Sequence, residues 1–236
     1  MIYGLYVGFS SVGRRLFVSN PAYVVNAIEA RSDGLLKPEQ LRRYAKVEAG
    51  ENLFSFKLSD VRANLEAEPI VKTARVRRQL PDTLMIDVHE RTPIACVVWG
   101  MNARNVIFQL VDADGIIIGR AARVKHLPMI KGLVLSKKGL GDSIADTRAR
   151  EALAALEYYN DERLDRFMEI REISVGMPDF LSVVLKSGTE LRIPRNNINE
   201  ALSNGVAYLR KEESEGNRYR RLDLVPSTTR PIGTPL

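Results

Sequence analysis

Histidines, the side chains that most often act as acids and bases near neutral pH, are few in this sequence and lack obvious partners. There are two, His89 and His126. His89 falls at an outward position near the end of a predicted strand, and His126 falls in a predicted loop. The carboxylate pair Asp112 and Asp114 flanks a turn, which favours a role in forming that turn over acid–base catalysis. We expect no catalytic residue among them.

The sequence also gives little support for nucleophilic catalysis or for metal binding. Lys186-Ser187-Gly188 looks like the Lys-Ser-Gly element of penicillin-recognising serine enzymes, but no serine is followed by lysine three residues later, as that class requires. A hairpin turn is therefore expected there. Cys96 is the single cysteine, which excludes an intrachain disulfide and a multi-cysteine zinc site. The sequence predicts no metal site and no cofactor.

Nucleic-acid binding would use a basic stripe along one predicted strand. The net charge is +6, from 35 basic and 29 acidic residues spread along the chain. No aromatic residues alternate with the stripe to stack on bases, and neighbouring carboxylates offset part of its charge. These features disfavour a nucleic-acid partner. The stripe comprises Lys72, Arg75, Arg77 and Arg78.

Length and composition indicate a globular protein of one or two domains. The chain has 236 residues, of which 45% are hydrophobic and 27% charged. Such a chain can bury a sizeable core, and the composition differs from that of disordered or fibrous proteins.

The uncharged stretch at residues 1–13 raises the question of a membrane segment. It is too short to span a bilayer, which needs about 20 apolar residues, and it lacks the basic start and small-residue cleavage site of a signal peptide. Two interpretations remain open. The stretch is either the outer end of a transmembrane helix that begins upstream, or a short amphipathic helix that packs locally.

The first part of the chain predicts a small α+β unit. A strand at residues 23–31 precedes two helices, which end at the helix-breaking Pro69. Strands at residues 70–78 and 83–90 follow, and their alternation places Ala74, Val76, Leu84, Ile86 and Val88 on one inward face. Across the outward face, Asp87 is placed to pair with arginines of the first strand. We expect the boundary of this unit near residues 91–93.

The second part predicts a mainly antiparallel sheet with two helices. Short apolar strands separated by turn signals are expected at 94–99, 108–112, 116–119, 170–175, 181–185, 190–193 and 219–225. The helices are expected near residues 144–159 and 198–211. The strand at 219–225 is either an edge strand, with backbone groups free for a partner strand, or an interior strand followed by a tail.

A run at the predicted hairpin resembles the FtsQ/DivIB family of bacterial cell-division proteins. Its pattern is Val-x-Arg-x-x-Pro-x-x-Leu-x-Ile-x-Val-x-Glu-Arg-x-Pro-x-Ala. The matching residues are Val76, Arg78, Pro81, Leu84, Ile86, Val88, Glu90, Arg91, Pro93 and Ala95. Further similarities lie at residues 50–54, 68–71, 111–115, 127–132 and 222–224.

The resemblance implies a domain order and a location. It implies that residues 1–20 are the end of an N-terminal transmembrane helix, 21–92 a POTRA domain, 93–225 an FtsQ-type β domain, and 226–236 a tail or edge strand. It also implies a single-pass protein of the bacterial inner membrane at the division septum, with most of the chain in the periplasm.

The implied role is that of a non-catalytic scaffold. It would link early and late division proteins, bind coiled-coil partners of the FtsB/FtsL type through an edge strand, contact other division proteins through the POTRA domain, and help control septal peptidoglycan synthesis. The implied partner-binding residues are Leu222, Asp223, Leu224, Val225, Ile232 and Gly233. Pro226 and Pro231 depart from the family pattern because a proline cannot donate a backbone hydrogen bond to a partner strand. The alternative is a POTRA-containing component of outer-membrane protein assembly or secretion.

Overall fold

The computed structural model describes residues 17–101, 106–133, 138–227 and 229–235. The uncharged stretch at residues 1–13 lies outside this range. The chain divides into two compact units between Arg91 and Thr92, referred to below as the N-terminal unit and the C-terminal unit.

The N-terminal unit is a three-stranded sheet with two helices, in the predicted order β-α-α-β-β. Its elements are β1 (Ala27–Ser32), α1 (Pro38–Ala45), α2 (Leu58–Glu66), β2 (Val71–Gln79) and β3 (Thr83–Glu90). The central strand is β3, which pairs parallel with β1 and antiparallel with β2. Among the described residues, strands β1 and β2 therefore each have one edge without a neighbouring strand.

Strand β1 begins four residues later than the sequence predicts. The preceding backbone pairs instead with the loop between the helices: the Val25 N–H donates to the Glu51 carbonyl at 2.7 Å, and the Gly50 N–H donates to the Val25 carbonyl at 3.0 Å. These bonds hold the chain beside the loop and out of the sheet.

The β2–β3 hairpin alternates as predicted. Ala74, Leu84, Ile86 and Val88 are buried in the core shared with both helices. On the other face, Arg77 and Asp87 form the expected ion pair at 3.2 Å. Both partners are more than a third exposed, so this pair adds little stability.

The buried carboxylate of Glu90 anchors the loop between β1 and α1. Only 7% of Glu90 is exposed. Its carboxylate accepts hydrogen bonds from the Leu35 and Leu36 backbone N–H groups, at 2.9 and 2.6 Å, and from the Ser32 hydroxyl at 2.5 Å. One side chain at the end of β3 thus fixes the path that the chain takes from β1 to α1.

The carboxylate of Asp33, which lies in the same loop, binds to the end of β3. It accepts the Glu90 backbone N–H at 2.8 Å and contacts the His89 ring. These two interactions hold the pKa of Asp33 below its usual value.

Each free edge of this sheet is contacted by a side chain from a helix. At β2, the Ala74 N–H donates to the Glu66 carboxylate of α2 at 3.0 Å, and Arg62 supports that carboxylate at 2.9 Å. At β1, Nε of Arg42 on α1 donates to the Ile28 carbonyl at 3.1 Å. Side chains therefore stand in for a neighbouring strand at these two points.

Replacing Glu66 should weaken the N-terminal unit in a pH-dependent way. The Ala74 N–H and Arg62 hold the pKa of Glu66 below its ordinary value of 4.5. Its carboxylate therefore stabilises the fold above pH 4.5, and this contribution is lost as the pH falls through the lower, folded-state pKa. Glu66→Gln should cost about 1 kcal/mol at pH 7 and progressively less as the pH falls below 4.5. Urea unfolding followed by amide signals of this unit measures the cost.

Glu39→Gln on α1 is the control, because it removes the same charge from an exposed position. Equal losses in the two variants at pH 7 would contradict the role given to Glu66.

The C-terminal unit is built on a nine-stranded sheet. Its strands are β4 (Ala95–Met101), β5 (Val106–Val111), β6 (Ile117–Ala121), β7 (Met129–Lys131), β8 (Ile170–Ser174), β9 (Phe180–Leu185), β10 (Glu190–Pro194), β11 (Tyr219–Asp223) and β12 (Ile232–Pro235). The spatial order is β12-β11-β10-β9-β8-β7-β4-β5-β6. Helix α3 (Thr147–Asp161) lies between β7 and β8 in sequence, and α4 (Ile198–Ser214) between β10 and β11.

One face of this sheet and both helices form a single core. Alternate strand residues such as Val97, Ile173, Val183 and Leu191 lie in the same buried cluster as Leu156 of α3. The helices thus cover one face of the sheet, and the intervening strand residues form the opposite, outer face.

The C-terminal sheet is mixed, with antiparallel pairs in the majority. Three neighbouring pairs are parallel: β4 with β7, β7 with β8, and β10 with β11. The sequence did not indicate these parallel pairs, and it did not predict the three-residue strand β7. The overall class, α+β with a mainly antiparallel second part, is confirmed.

Candidate protein-interaction surface

Strand β12 lies at one end of the nine-stranded sheet. It pairs antiparallel with β11, and β11 pairs parallel with β10 on its other side. Of the two alternatives for the strand ending near residue 225, the structure shows an interior strand. The backbone edge open to a partner on this side belongs to β12 instead.

Two of the six predicted partner-binding residues are core residues. Leu222 and Leu224 are both 0% exposed. Leu224 packs toward Gly205 of α4, and its N–H donates to the Arg192 carbonyl at 2.9 Å. These two leucines fix β11 in place, and a partner cannot reach them in the folded protein.

The remaining four predicted residues lie at or near the surface. Ile232 is 60% exposed and pairs opposite Asp223, so the two share the outer face. Val225, 40% exposed, follows β11 and donates its N–H to the Asp223 carboxylate at 3.0 Å. Gly233 pairs opposite Leu222 on the helix-covered face. The exposed apolar group nearest the open edge is therefore Ile232.

Gly233 is required by close packing of Tyr219. Ring atoms of Tyr219 occupy the place where a Cβ on residue 233 would stand. The tyrosine cannot turn away freely, because its hydroxyl donates to the Glu212 carboxylate at 2.7 Å. This bond raises the pKa of Tyr219 and lowers that of Glu212. Helix α4 thus positions β12 through one aromatic ring.

A cross-strand network of charges occupies the outer face beside β12. Glu190 accepts hydrogen bonds from Arg221 at 2.7 Å and from Ser182 at 2.8 Å. Burial acts to raise the pKa of Glu190, but these hydrogen bonds outweigh it and hold the pKa below its usual value. The next row pairs Arg192 with Asp223 at 3.7 Å.

Arg192 also stacks on an aromatic ring, with its guanidinium 5.0 Å from the centre of the Phe180 ring. Its buried Nε lies 3.7 Å from the Glu190 carboxylate and has no hydrogen-bond partner among the described residues. This network was not apparent from the sequence. The sequence does contain the pattern Glu-x-Arg in β10 and Arg-x-Asp in β11. This pattern indicates a charge network only when the two strands are known to pair.

The residues considered for catalysis have structural explanations. Gly188 has a φ of +96° in the β9–β10 turn, as predicted for Lys186-Ser187-Gly188. Asp112 accepts the Ile116 N–H at 2.7 Å and forms a turn. Burial raises the pKa of the Cys96 thiol to about 11, which keeps it in its unreactive protonated form. Within the described residues, no three His, Cys, Asp or Glu side chains are grouped to hold a metal ion.

Together the fold and the open edge of β12 form a surface of the kind to which a partner strand can add. A strand edge offers backbone donors and acceptors to an extended segment, and the side chains beside it supply selectivity. Here those side chains are the exposed Ile232 and Thr234 and the charged rows on β10 and β11.

Comparison with known proteins identifies the family of both units. Residues 25–91 match the model of the FtsQ-type POTRA domain, and residues 97–224 match that of the FtsQ/DivIB C-terminal domain. The chain belongs to the FtsQ/DivIB family of bacterial cell-division proteins.

Individual relatives bear related names. The chain is 28% identical over 203 residues to cell division protein FtsQ of Anaeromyxobacter sp. (strain K), a match covering 83% of this chain and 66% of the relative. It is 35% identical over 148 residues to FtsQ of Novosphingobium aromaticivorans, covering 60% and 42%. With DivIB of Clostridium tetani it shares 20% identity over 123 residues, covering 52% and 44%. The chain thus spans less than two thirds of the length of these relatives.

Most of the membrane helix implied by the resemblance, residues 1–16, lies outside the described part of the chain. No helix within the described part is long and apolar enough to cross a bilayer.

Proposed function

We propose that this chain is a non-catalytic scaffold of the divisome. It links early and late division proteins by binding coiled-coil partners of the FtsB/FtsL type, and so helps control septal peptidoglycan synthesis. A strand of the partner adds to the open edge of β12. The observation that carries this proposal is the position of β12, which ends the sheet while presenting an exposed isoleucine.

The positions of the prolines are compatible with strand addition. Pro226 and Pro231 lie between β11 and β12, outside both strands. Pro235 is the last residue of β12, and Ile232, Gly233 and Thr234 all carry an N–H group.

The backbone groups of Ile232 and Thr234 face Asp223 and Arg221 on β11, because Leu224 donates to Arg192 on β10, so Gly233 presents its N–H and carbonyl to the open edge. A partner strand is therefore expected to lie beside these three residues of β12 and to bond to the backbone of Gly233.

The proposed location follows from family membership. We place the chain at the division septum, as a single-pass protein of the inner membrane whose two units lie in the periplasm. In this arrangement the N-terminal unit is available to other division proteins. Because a single POTRA domain is followed by the FtsQ/DivIB C-terminal domain, division is better supported than outer-membrane assembly.

Ile232→Asp tests the partner site without disturbing the core. A carboxylate at this exposed position should lower the affinity for an FtsB-type segment at least about tenfold, because the partner strand would have to desolvate it. Isothermal titration with a synthetic segment of the organism's FtsB-type protein measures the change. Leu224→Pro is a poor test, because Leu224 is buried and its N–H is hydrogen-bonded.

Leu140→Asp is the matched control. Leu140 is also in the C-terminal unit and 50% exposed, but it lies in the segment that bonds to β6 at the opposite end of the sheet. The control should bind within about twofold of the unmodified chain. Equal affinities for all three proteins, with circular dichroism unchanged, would refute β12 as the partner site.

A further inference from the structure

One end of the N-terminal unit exposes a group of apolar side chains. At this end β1 and β3 begin and β2 ends, because β3 pairs parallel with β1 and antiparallel with β2. It comprises residues 17–26, 52–58 and 78–82 and is called the aromatic end below. The large exposed apolar residues described in this unit are Phe17, Val18, Leu35 and Leu80. All but Leu35 belong to the aromatic end, and Leu35 lies beyond the other end of β1.

Three aromatic rings pack against one another at the aromatic end. The centre of the Phe17 ring lies 5.7 Å from that of Tyr23 and 5.2 Å from that of Phe54, and the last two are 5.1 Å apart. The side-chain amide of Asn52 donates to the Phe17 carbonyl at 3.1 Å. Phe17 is therefore held in place by the loop between the helices, although its side chain is exposed.

Arg78 fixes the loop that carries the other rings. Its Nε donates to the Leu53 carbonyl at 2.6 Å, and a terminal nitrogen donates to the Phe56 carbonyl at 2.8 Å. The guanidinium also lies 5.0 Å from the centre of the Phe54 ring and 6.0 Å from that of Phe56. These contacts keep both half-buried rings at the surface of the aromatic end.

A recess of about 380 Å³ opens between the rings. Its lining consists of apolar and basic residues, and no carboxylate of the described chain is part of it. They are Phe17, Phe54, Phe56, Lys57, Leu58 and Arg78. Two acidic residues of the neighbourhood accept internal hydrogen bonds: Glu51 from the Glu48 N–H, and Asp82 from the Asn26 amide. Aromatic rings beside lysine and arginine are typical of surfaces at the boundary between lipid headgroups and acyl chains.

The sequence before Phe17 favours a bilayer as the occupant of this surface. Residues 1–13 carry no charge, and Arg14 and Arg15 follow them. Because a chain spans at most about 3.6 Å per residue, Phe17 lies within about 14 Å of Gly13. If the membrane segment of the proposed location includes this uncharged stretch, the aromatic end lies at the bilayer surface. The inference therefore rests on that part of the proposed function.

We propose that the aromatic end docks on the surface of the membrane. Phe17, Val18 and Leu80 enter the boundary between headgroups and acyl chains, and Lys57 faces the lipid phosphates. The contact orients the N-terminal unit, with the loop that Glu90 anchors directed away from the membrane.

Fluorophores at the two ends of the unit test the inference. Leu80→Cys and Leu35→Cys replace exposed leucines, and each new thiol can be labelled selectively because Cys96 is buried. Each labelled full chain is reconstituted in vesicles of phosphatidylethanolamine and phosphatidylglycerol, with and without a lipid that carries a nitroxide just below its headgroup. The nitroxide should quench the fluorophore at residue 80 at least about threefold more than that at residue 35, because interfacial groups enter about 5–10 Å into the boundary.

Phe17→Ser should lower the quenching at residue 80 about twofold or more, because it removes apolar area from the contact. Phe167→Ser is the matched control: Phe167 of the C-terminal unit is 47% exposed, against 46% for Phe17. It should leave the quenching unchanged.

Four results would overturn the proposal. Residues 80 and 35 could be quenched equally, neither could be quenched, or Phe17→Ser could have no effect. In the fourth, the fluorophore at residue 80 is already shielded from aqueous iodide without vesicles and vesicles change nothing. The aromatic end would then be covered by another part of the chain, such as residues 1–13.

Flotation of the same vesicles separates this inference from the proposed function. If the chain floats with the vesicles while residue 80 is not quenched, only the docking fails. If the chain does not float, the proposed location fails and the docking fails with it. If residue 80 is quenched while an FtsB-type segment does not bind the vesicle-bound chain, only the β12 site fails.

Discussion

Glu90→Ala is expected to lower the free energy of unfolding of the N-terminal unit by about 3 kcal/mol. The substitution removes the acceptor of two backbone N–H groups and the Ser32 hydroxyl. It also leaves space at a position that is 7% exposed. Urea unfolding followed by amide signals of β3 gives the value.

Asp87→Ala is the control, because it also removes a carboxylate from β3. Asp87 lies three residues earlier on β3, in a surface pair with Arg77, and its loss should cost less than about 1 kcal/mol. If the two variants were equally stable, the carboxylate of Glu90 could not be the anchor of the loop.

Gly34→Ala should disturb the same hydrogen bonds of Glu90, in this case through a steric clash. A Cβ at residue 34 would stand too close to the Glu90 carboxyl atoms for a non-bonded contact, so the carboxylate must move away from Leu35 and Leu36. We expect destabilisation in the same direction. In the double variant with Glu90→Ala, the effect of Gly34→Ala should largely disappear, because the clashing group is gone. Full additivity would contradict this explanation.

Gly233→Ala is expected to weaken binding of an FtsB-type segment by about tenfold or more while leaving the core of the C-terminal unit folded. The new methyl group would collide with the Tyr219 ring, which the Glu212 bond holds in place. Strand β12 would have to move away from β11, and its edge would lose the geometry that a partner strand needs. Titration measures the affinity, and limited proteolysis between β11 and β12 reports the displacement.

Tyr219→Ala tests whether the Tyr219 ring is the group that clashes with the new methyl group. Removing the ring makes room for the methyl group, so Gly233→Ala should have a much smaller effect in the Tyr219→Ala background than in the unmodified chain. An undiminished effect would mean that the ring is not the obstacle.

Local patterns in the sequence predicted most of the helices and strands of the N-terminal unit. Alternation around Ala74, Leu84 and Ile86 identified the hairpin, and Pro69 marked the end of the second helix. Contacts of this kind join residues close in sequence, so their signal survives without a structure. The anchoring role of Glu90 was not visible, because Leu35 and Leu36 lie more than 50 residues away from it in sequence.

The candidate site of the C-terminal unit could be predicted only in part. Family resemblance pointed to the end of the chain where β11 and β12 lie, but it did not reveal that the side chains of Leu222 and Leu224 fill the core. The reason is topological: β10 and β11 are parallel neighbours joined through α4. Apolar residues of an interior strand and of an edge strand look alike in sequence, and only the pairing tells them apart.

The place of β12 along the chain also sets a temporal order. Synthesis proceeds from the N-terminus, and β12 can dock only on a β11 whose Leu222 and Leu224 have already packed against the sheet and α4. The β12 edge is therefore assembled after the rest of its unit. A polypeptide that is interrupted or misfolded before that point presents no such edge, so under the proposed function partner recruitment would select for molecules that have finished folding.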